Sequence, residues 1–126
     1  MSEGVLGKAY AVGQYVVRQG DTGDCMYVVQ MGQLEVLKED YGGAVRIGIL
    51  DVGDFFGEMS LFAGEKRSAS VRSLDNARVR AITKDSFMRC AMEDSNLALA
   101  LVKMMSQRIR LLAEEVVRLK AKAGAE

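Results

Sequence analysis

Between about residues 10 and 83, short runs rich in Val, Ile, Tyr and Met alternate with glycine-bearing turns, and the chain has no proline to shape those turns instead. This punctuation limits the fold more than any other feature, because short apolar runs bounded by turn signals have the length of strands rather than of helices. Tyr15-Val-Val-Arg18 stops at Gln19-Gly20-Asp21, and Met26-Tyr-Val-Val-Gln-Met31 stops at Gly32. Gln33-Leu-Glu-Val-Leu-Lys38 alternates polar with apolar residues, the period of a half-buried strand. Glu39-Asp-Tyr-Gly-Gly43 is expected to turn a hairpin whose return strand is Ala44-Val-Arg-Ile-Gly-Ile-Leu50, with another turn at Asp51-Val-Gly-Asp54. Ser70-Val-Arg-Ser73 and Ala77-Arg-Val-Arg-Ala-Ile82 complete the strands. The spacing predicts a mainly β domain over about residues 8–83, built as a small barrel or a two-sheet roll.

After Thr83 the pattern changes. Thr83-Lys-Asp-Ser resembles a helix start ahead of Phe87 and Met88, and Ser95 or Asn96 is placed to cap a long helix over about residues 96–123. The two helices together span about residues 84–123. In the long one, Val102, Met105, Ile109, Leu112, Val116, Leu119 and Ala123 recur at intervals of three and four, a heptad seam. Val, Ile and Val at a with Met, Leu and Leu at d favour a parallel two-stranded coil, in which Glu115 and Lys120 stand at g and e. A second row, Leu97, Leu101, Met104 and Leu111, lies on another face and suits packing against the roll. Burial of one wide stripe within the monomer is the competing arrangement. The seam runs on to Leu119, beyond what so small a roll would cover, so a homodimer through the long helix is expected. The six basic residues between Lys103 and Lys122 read as a solvated helix face, and no nucleic acid is expected to bind this chain.

A chain of 126 residues holds one domain with one core, spanning residues 1–126. Seventeen basic and seventeen acidic residues balance, so no global charge attracts nucleic acid or an anionic membrane. The opening MSEGVLGKAY lacks the basic-then-apolar order of a secretory signal, and the run LALALV stops at Lys103, far short of a bilayer span. A cytoplasmic protein without membrane contact is expected. The absence of histidine excludes His-based triads and His-containing zinc sites. Cys25 and Cys90 stand far apart with no CxxC, and read as reduced thiols packed like small apolar side chains. No metal, no catalytic residue and no enzymatic activity are expected.

The chemistry concentrates in FFGEMSLFAGEKRSASV, residues 55 to 71. Gly57 permits close backbone approach, and Glu58-Met-Ser-Leu-Phe62 is long enough for one or two helical turns ending near Gly64. The first turn of such a helix exposes N–H groups that suit an anion. Arg67 offers a planar, permanently charged fork for two phosphate oxygens, and Ser68 a hydroxyl beside it. Glu58, when ionised, only accepts hydrogen bonds, so it suits a sugar hydroxyl. The plainer alternative is that Glu58 and Arg67 pair with each other across a turn.

This segment resembles the phosphate-binding cassette of cyclic nucleotide-binding domains: Phe-Gly-Glu, a short apolar helix, then Arg-Ser-Ala before a strand, over about residues 56–70. Upstream, VVRQGDTGDCMYVVQMGQLEV is similar to the family's early strands, and the long helix resembles its C-helix, so the likeness covers about residues 8–119. The resemblance implies a double-stranded, jelly-roll-like β-roll followed by helices. It implies that Gly57 and Glu58 hold the ribose 2′-hydroxyl and that Arg67 neutralises the cyclic phosphate beside Ser68 and the backbone of Ala69. Leu61 would wall the ribose, and Met59 belongs to the same ligand-binding set. Leu112 and Ala113 occupy the region where activator-like members carry a Thr-Ser pair that reads adenine, so Arg108 or Arg110 is an alternative base contact. The function implied is a regulatory sensor that binds a 3′,5′-cyclic nucleotide as ligand, cAMP ahead of cGMP, with no resident cofactor, and signals by movement of the C-helix. The alternative is a structural dimerisation module whose pocket does not bind. The family's N-terminal helical segment is largely missing and no DNA-reading segment follows the long helix. The chain is therefore expected to be trimmed or unusually short.

Overall fold

The computed structural model describes residues 6–40, 42–93 and 95–124. The strands among them are β1 (Lys8–Tyr10), β2 (Tyr15–Val17), β3 (Cys25–Met31), β4 (Leu34–Asp40), β5 (Gly43–Leu50), β6 (Phe55–Phe56), β7 (Ser70–Ser73) and β8 (Ala77–Thr83). A short helix, α1 (Glu58–Ala63), separates β6 from β7, and α2 (Lys84–Glu93) and α3 (Asn96–Gly124) follow β8. The strands form two four-stranded antiparallel sheets, ordered β1-β8-β3-β6 and β2-β7-β4-β5. This is the roll that the glycine-broken runs predict. The hairpin turn expected at 39–43 includes Tyr41, which lies outside the described residues, and β4 pairs with β5 from Leu34↔Leu50 to Asp40↔Gly43.

Two strands have no signature in the sequence. β1 and β6 are three and two residues long, too short to show a period. They exist because longer strands offer them an edge: Lys8–Tyr10 lies along β8, and Phe55–Phe56 pairs with Tyr27 and Val28 of β3.

Both sheets contribute to one apolar cluster of Tyr10, Val29, Leu34, Leu50, Phe56, Val71, Ala77 and Val79. Burying each larger side chain contributes roughly 1.5–3 kcal/mol. On β4, Glu35 is out of phase with the core residues Leu34 and Val36, yet it is buried as well. Arg46 Nε donates to its Oε1 at 3.0 Å and Arg72 Nε to its Oε2 at 2.8 Å. The Arg72 hydrogen bond is the chief influence that holds the Glu35 carboxyl below its ordinary pKa, against the opposing effect of burial.

The chain divides into two compact units, one ending at Arg89 and one beginning at Cys90. The first holds the roll, α1 and the start of α2. Thr83 Oγ1 accepts from the Ser86 N–H at 3.2 Å, the N-terminal cap that the sequence suggests. Phe87 of α2 meets Phe62 of α1 edge-on, with ring centroids 5.2 Å apart. The second unit holds the end of α2 and all of α3. On α3, Leu101 is buried and the seam residue Met105 half-buried, whereas the seam residues Val102, Ile109, Leu112, Val116 and Leu119 are each more than half exposed. In the second apolar row Met104 is half-buried and Leu111 exposed, and the side chain of Leu97 lies outside the described residues. No helix among the described residues is long and apolar enough to cross a membrane.

Candidate functional site

β6 delivers Phe55 and Phe56 into the interior, and the chain reverses at once through Gly57, which has φ 84° and ψ 13°. A side chain in that left-handed region costs about 1–2 kcal/mol. Space excludes one as well: a Cβ on Gly57 would lie 2.5 Å from Arg67 Nη1 and 3.3 Å from the Cys25 carbonyl oxygen. α1 follows directly, and Ser60 Oγ donates to the Glu65 carbonyl at 2.7 Å, which closes the loop behind it. Glu58 and Leu61 are buried in the first unit, while Met59 is about half exposed.

Arg67 is bound at its backbone to the loop after β2. Its N–H donates to the Asp21 carbonyl at 2.8 Å, and its own carbonyl accepts from the Gly20 N–H at 2.8 Å. The side chain turns inward and is 7% exposed. Nη1 donates to the Gly57 carbonyl at 3.3 Å, Nη2 to Cys25 Sγ at 3.8 Å, and Cζ lies 5.4 Å from the centroid of the Tyr27 ring. That ring stacks on Phe56 at 5.0 Å. Gly23 flanks the guanidinium on another side, where any Cβ would overlap it. These contacts are longer than the roughly 2.7–2.9 Å of a charge-assisted bond to an anion, so a phosphate would bind the fork better than its present partners do. Burial, and next the Cys25 thiol, push the Tyr27 hydroxyl well above its ordinary pKa, with Arg67 opposing. The phenol therefore stays neutral and adds no charge to compete for Arg67.

A cavity of about 210 Å³ opens here, lined by Val16, Val17, Arg18, Asp21, Thr22, Gly23, Asp24, Cys25, Tyr27 and Arg67. It is smaller than the ~300–1,000 Å³ of whole-ligand clefts, so by itself it suits one charged end of a ligand. A larger cavity of about 440 Å³ lies beside β1 and β8. Its lining includes no cassette residue, and its Arg78 donates to the Gly7 carbonyl at 2.7 Å. The chemistry favours the smaller one.

Beyond Arg67 the strand resumes. Ser68 is exposed, Ala69 half-buried and Ser70 fully buried. Lys38 Nζ donates to the Ser68 carbonyl at 2.6 Å, and Ser70 Oγ donates to Glu39 Oε2 at 2.6 Å. Gly57, Glu58, Met59, Leu61, Arg67, Ser68 and Ala69 thus all lie on the segment joining β6 to β7 in the first unit. Arg108, half-buried, and Leu112 and Ala113, exposed, lie on α3 in the second unit. Sequence reasoning did not single out Gly23, Cys25, Tyr27 or Lys38 as neighbours of this segment. Three of them stand beside Arg67 through pairings far apart in the chain, and the available sign was the Gly-Asp turn shared with the family's early strands.

The family model described as cyclic nucleotide-binding domain matches residues 8–94, well over half of the chain. The chain belongs to the cyclic nucleotide-binding domain family. Its cyclic nucleotide-binding domain is 33% identical over 92 residues to the cyclic nucleotide-gated channel rod photoreceptor subunit alpha of Gallus gallus, covering 68% of this chain and 14% of the channel. It is 36% identical over 77 residues to a cAMP-dependent protein kinase regulatory subunit of Mucor circinelloides f. lusitanicus, covering 61% of this chain and 18% of that protein. The catabolite activator protein of Thermus thermophilus superposes with a TM-score of 0.80 at 26% identity, covering 90% of this chain and 54% of the other. The domain therefore spans less than a fifth of the length of these two curated relatives.

Proposed function

We propose that residues 1–126 act as one ligand-sensing regulatory domain, which binds a 3′,5′-cyclic nucleotide through residues 57–69 and signals by movement of α3. The observation that carries this reading is Arg67. A permanently charged guanidinium is held inside the roll by long contacts, next to a cavity, at the point where the family's cassette ends. In this reading Arg67 takes the cyclic phosphate with the Ser68 hydroxyl and the Ala69 N–H beside it. Gly57 and Glu58 take the ribose 2′-hydroxyl, and Leu61 and Met59 border the sugar. Support for cAMP over cGMP comes from the kinase regulatory subunit, whose name specifies cAMP. The base contact falls to α3, through Arg108, Leu112 or Ala113. The exposed heptad seam supports a homodimer through α3. The role is regulatory, with the nucleotide as ligand and neither nucleic acid nor membrane as partner. Two unbonded cysteines fit a cytoplasmic setting.

Calorimetry with cAMP and cGMP, on folded protein stripped of any bound nucleotide, tests the reading. Saturable binding of at least one is expected. Binding of neither would leave the structural dimerisation module in its place.

A further inference from the structure

We infer that Lys38 is a further positioning residue for the ligand phosphate, acting through the Ser68–Ala69 peptide; this rests on the cyclic nucleotide reading above. Lys38 lies outside the cassette, near the end of β4. Pairing of β4 with β7 sets Leu37 opposite Ser70, which brings the next β4 residue alongside the segment leading into β7. Lys38 Nζ reaches the Ser68 carbonyl oxygen at 2.6 Å, the short distance of a charge-assisted hydrogen bond.

The consequence follows from peptide geometry. A trans peptide is planar, and its C=O and N–H point in opposite directions. Holding the Ser68 oxygen therefore fixes the direction of the Ala69 N–H, the backbone donor assigned to the phosphate. The ammonium also draws electron density from the carbonyl, which makes the N–H on the far side of the same peptide a stronger donor.

The neighbouring contacts keep this clamp in register. On one side of the peptide, the Arg67 backbone is bonded to Gly20 and Asp21. On the other, Ser70 Oγ donates to Glu39 and accepts from the Gln19 N–H at 2.9 Å. The Gln19 side-chain amide pairs with the Glu39 backbone at 2.9 and 2.8 Å, which holds the end of β4 against the segment. Lys38 acts between these two anchors.

The test compares wild type, Lys38→Met and Lys38→Arg. Amide spectra of the three unliganded proteins report on the peptide, and cAMP calorimetry reports on the site. The Ala69 amide resonance should move in K38M and return in K38R. Affinity for cAMP should fall roughly fivefold in K38M and recover in K38R, with circular dichroism spectra of all three proteins alike because the side chain is exposed. An unmoved Ala69 resonance in K38M, wild-type affinity in K38M, or no recovery in K38R would each overturn the role of Lys38 while leaving the sensor reading in place. Absence of binding by wild type would remove the sensor reading and this inference with it.

Discussion

At Arg67 a full charge is kept where it is 7% exposed, and its hydrogen bonds there reach a carbonyl at 3.3 Å and a sulfur at 3.8 Å. Desolvating a guanidinium for so modest a return costs stability, which suits a residue that holds its charge for an incoming anion. Arg67→Ala should therefore weaken cAMP binding by about 2–5 kcal/mol and leave the fold intact. Calorimetry paired with circular dichroism checks this, and wild-type affinity in the variant would take Arg67 out of the site. Gly57→Ala should lose about 1–2 kcal/mol from the left-handed backbone alone, seen as a lower urea midpoint. Glu35 gives a pH signature. Its folded pKa lies below the ordinary 4.5, so the stability from its two arginines is complete above pH 4.5 and is lost as the pH falls through the lower folded value. Urea midpoints should drop more steeply on acidification in wild type than in Glu35→Gln; parallel curves would refute the assignment. The proposed anion-and-hydroxyl site is readable in the sequence from the residue types at 57, 58, 67 and 68. The walls around Arg67 do not, because Gly23, Cys25 and Tyr27 come from a loop and strand some forty residues earlier, and Cys25 reads as an ordinary apolar packer.

Among the elements, α3 is the most legible, since 29 residues carry several full heptads, and its bounds match the expected 96–123 to within a residue. α1 is also visible, because glycines frame it, whereas β1 and β6 borrow their structure from β8 and β3 and leave no trace in a linear reading. The seam on α3 supplies a prediction at this scale. Ile109→Glu puts a charge at a central a position and should raise the dimer dissociation constant by about tenfold or more. Sedimentation equilibrium measures it, and a wild-type monomer at high micromolar concentration would contradict the dimer outright. The expected g–e′ pair from Glu115 to Lys120 has a rival within the helix, since Arg118 donates to Glu115 one turn on. Charge pairing would thus be a smaller contributor to the proposed dimer than its apolar seam.

For the molecule as a whole, the order of the longer strands and of the helices could be read along the chain, but β1, β6 and the arrangement of the sheets could not. Joining Lys8 to Val79 is a non-local choice that no window of sequence encodes. A ligand that binds only the folded roll should stabilise it by ~2.7 kcal/mol at a hundredfold excess over its dissociation constant. Scanning calorimetry would register that as a rise in midpoint, and an unmoved midpoint at saturating cAMP would argue against binding to the folded state. The sheet order has a further effect in concentrated solution. Among the described residues β5 is an outer strand, eight residues long, with Val45, Ile47 and Ile49 exposed. A bare edge of that kind templates the addition of further strands, the route to fibrils. Against this, the shift between Val36↔Gly48 and Leu37↔Arg46 leaves Ile47 as an extra residue, and such a bulge bends and twists the edge away from a flat partner. The colloidal lifetime of the protein is therefore tied to one irregularity in the β4–β5 hairpin, and because that bulge adjoins Lys38, a change made there for shelf life would also reach the segment beside Arg67.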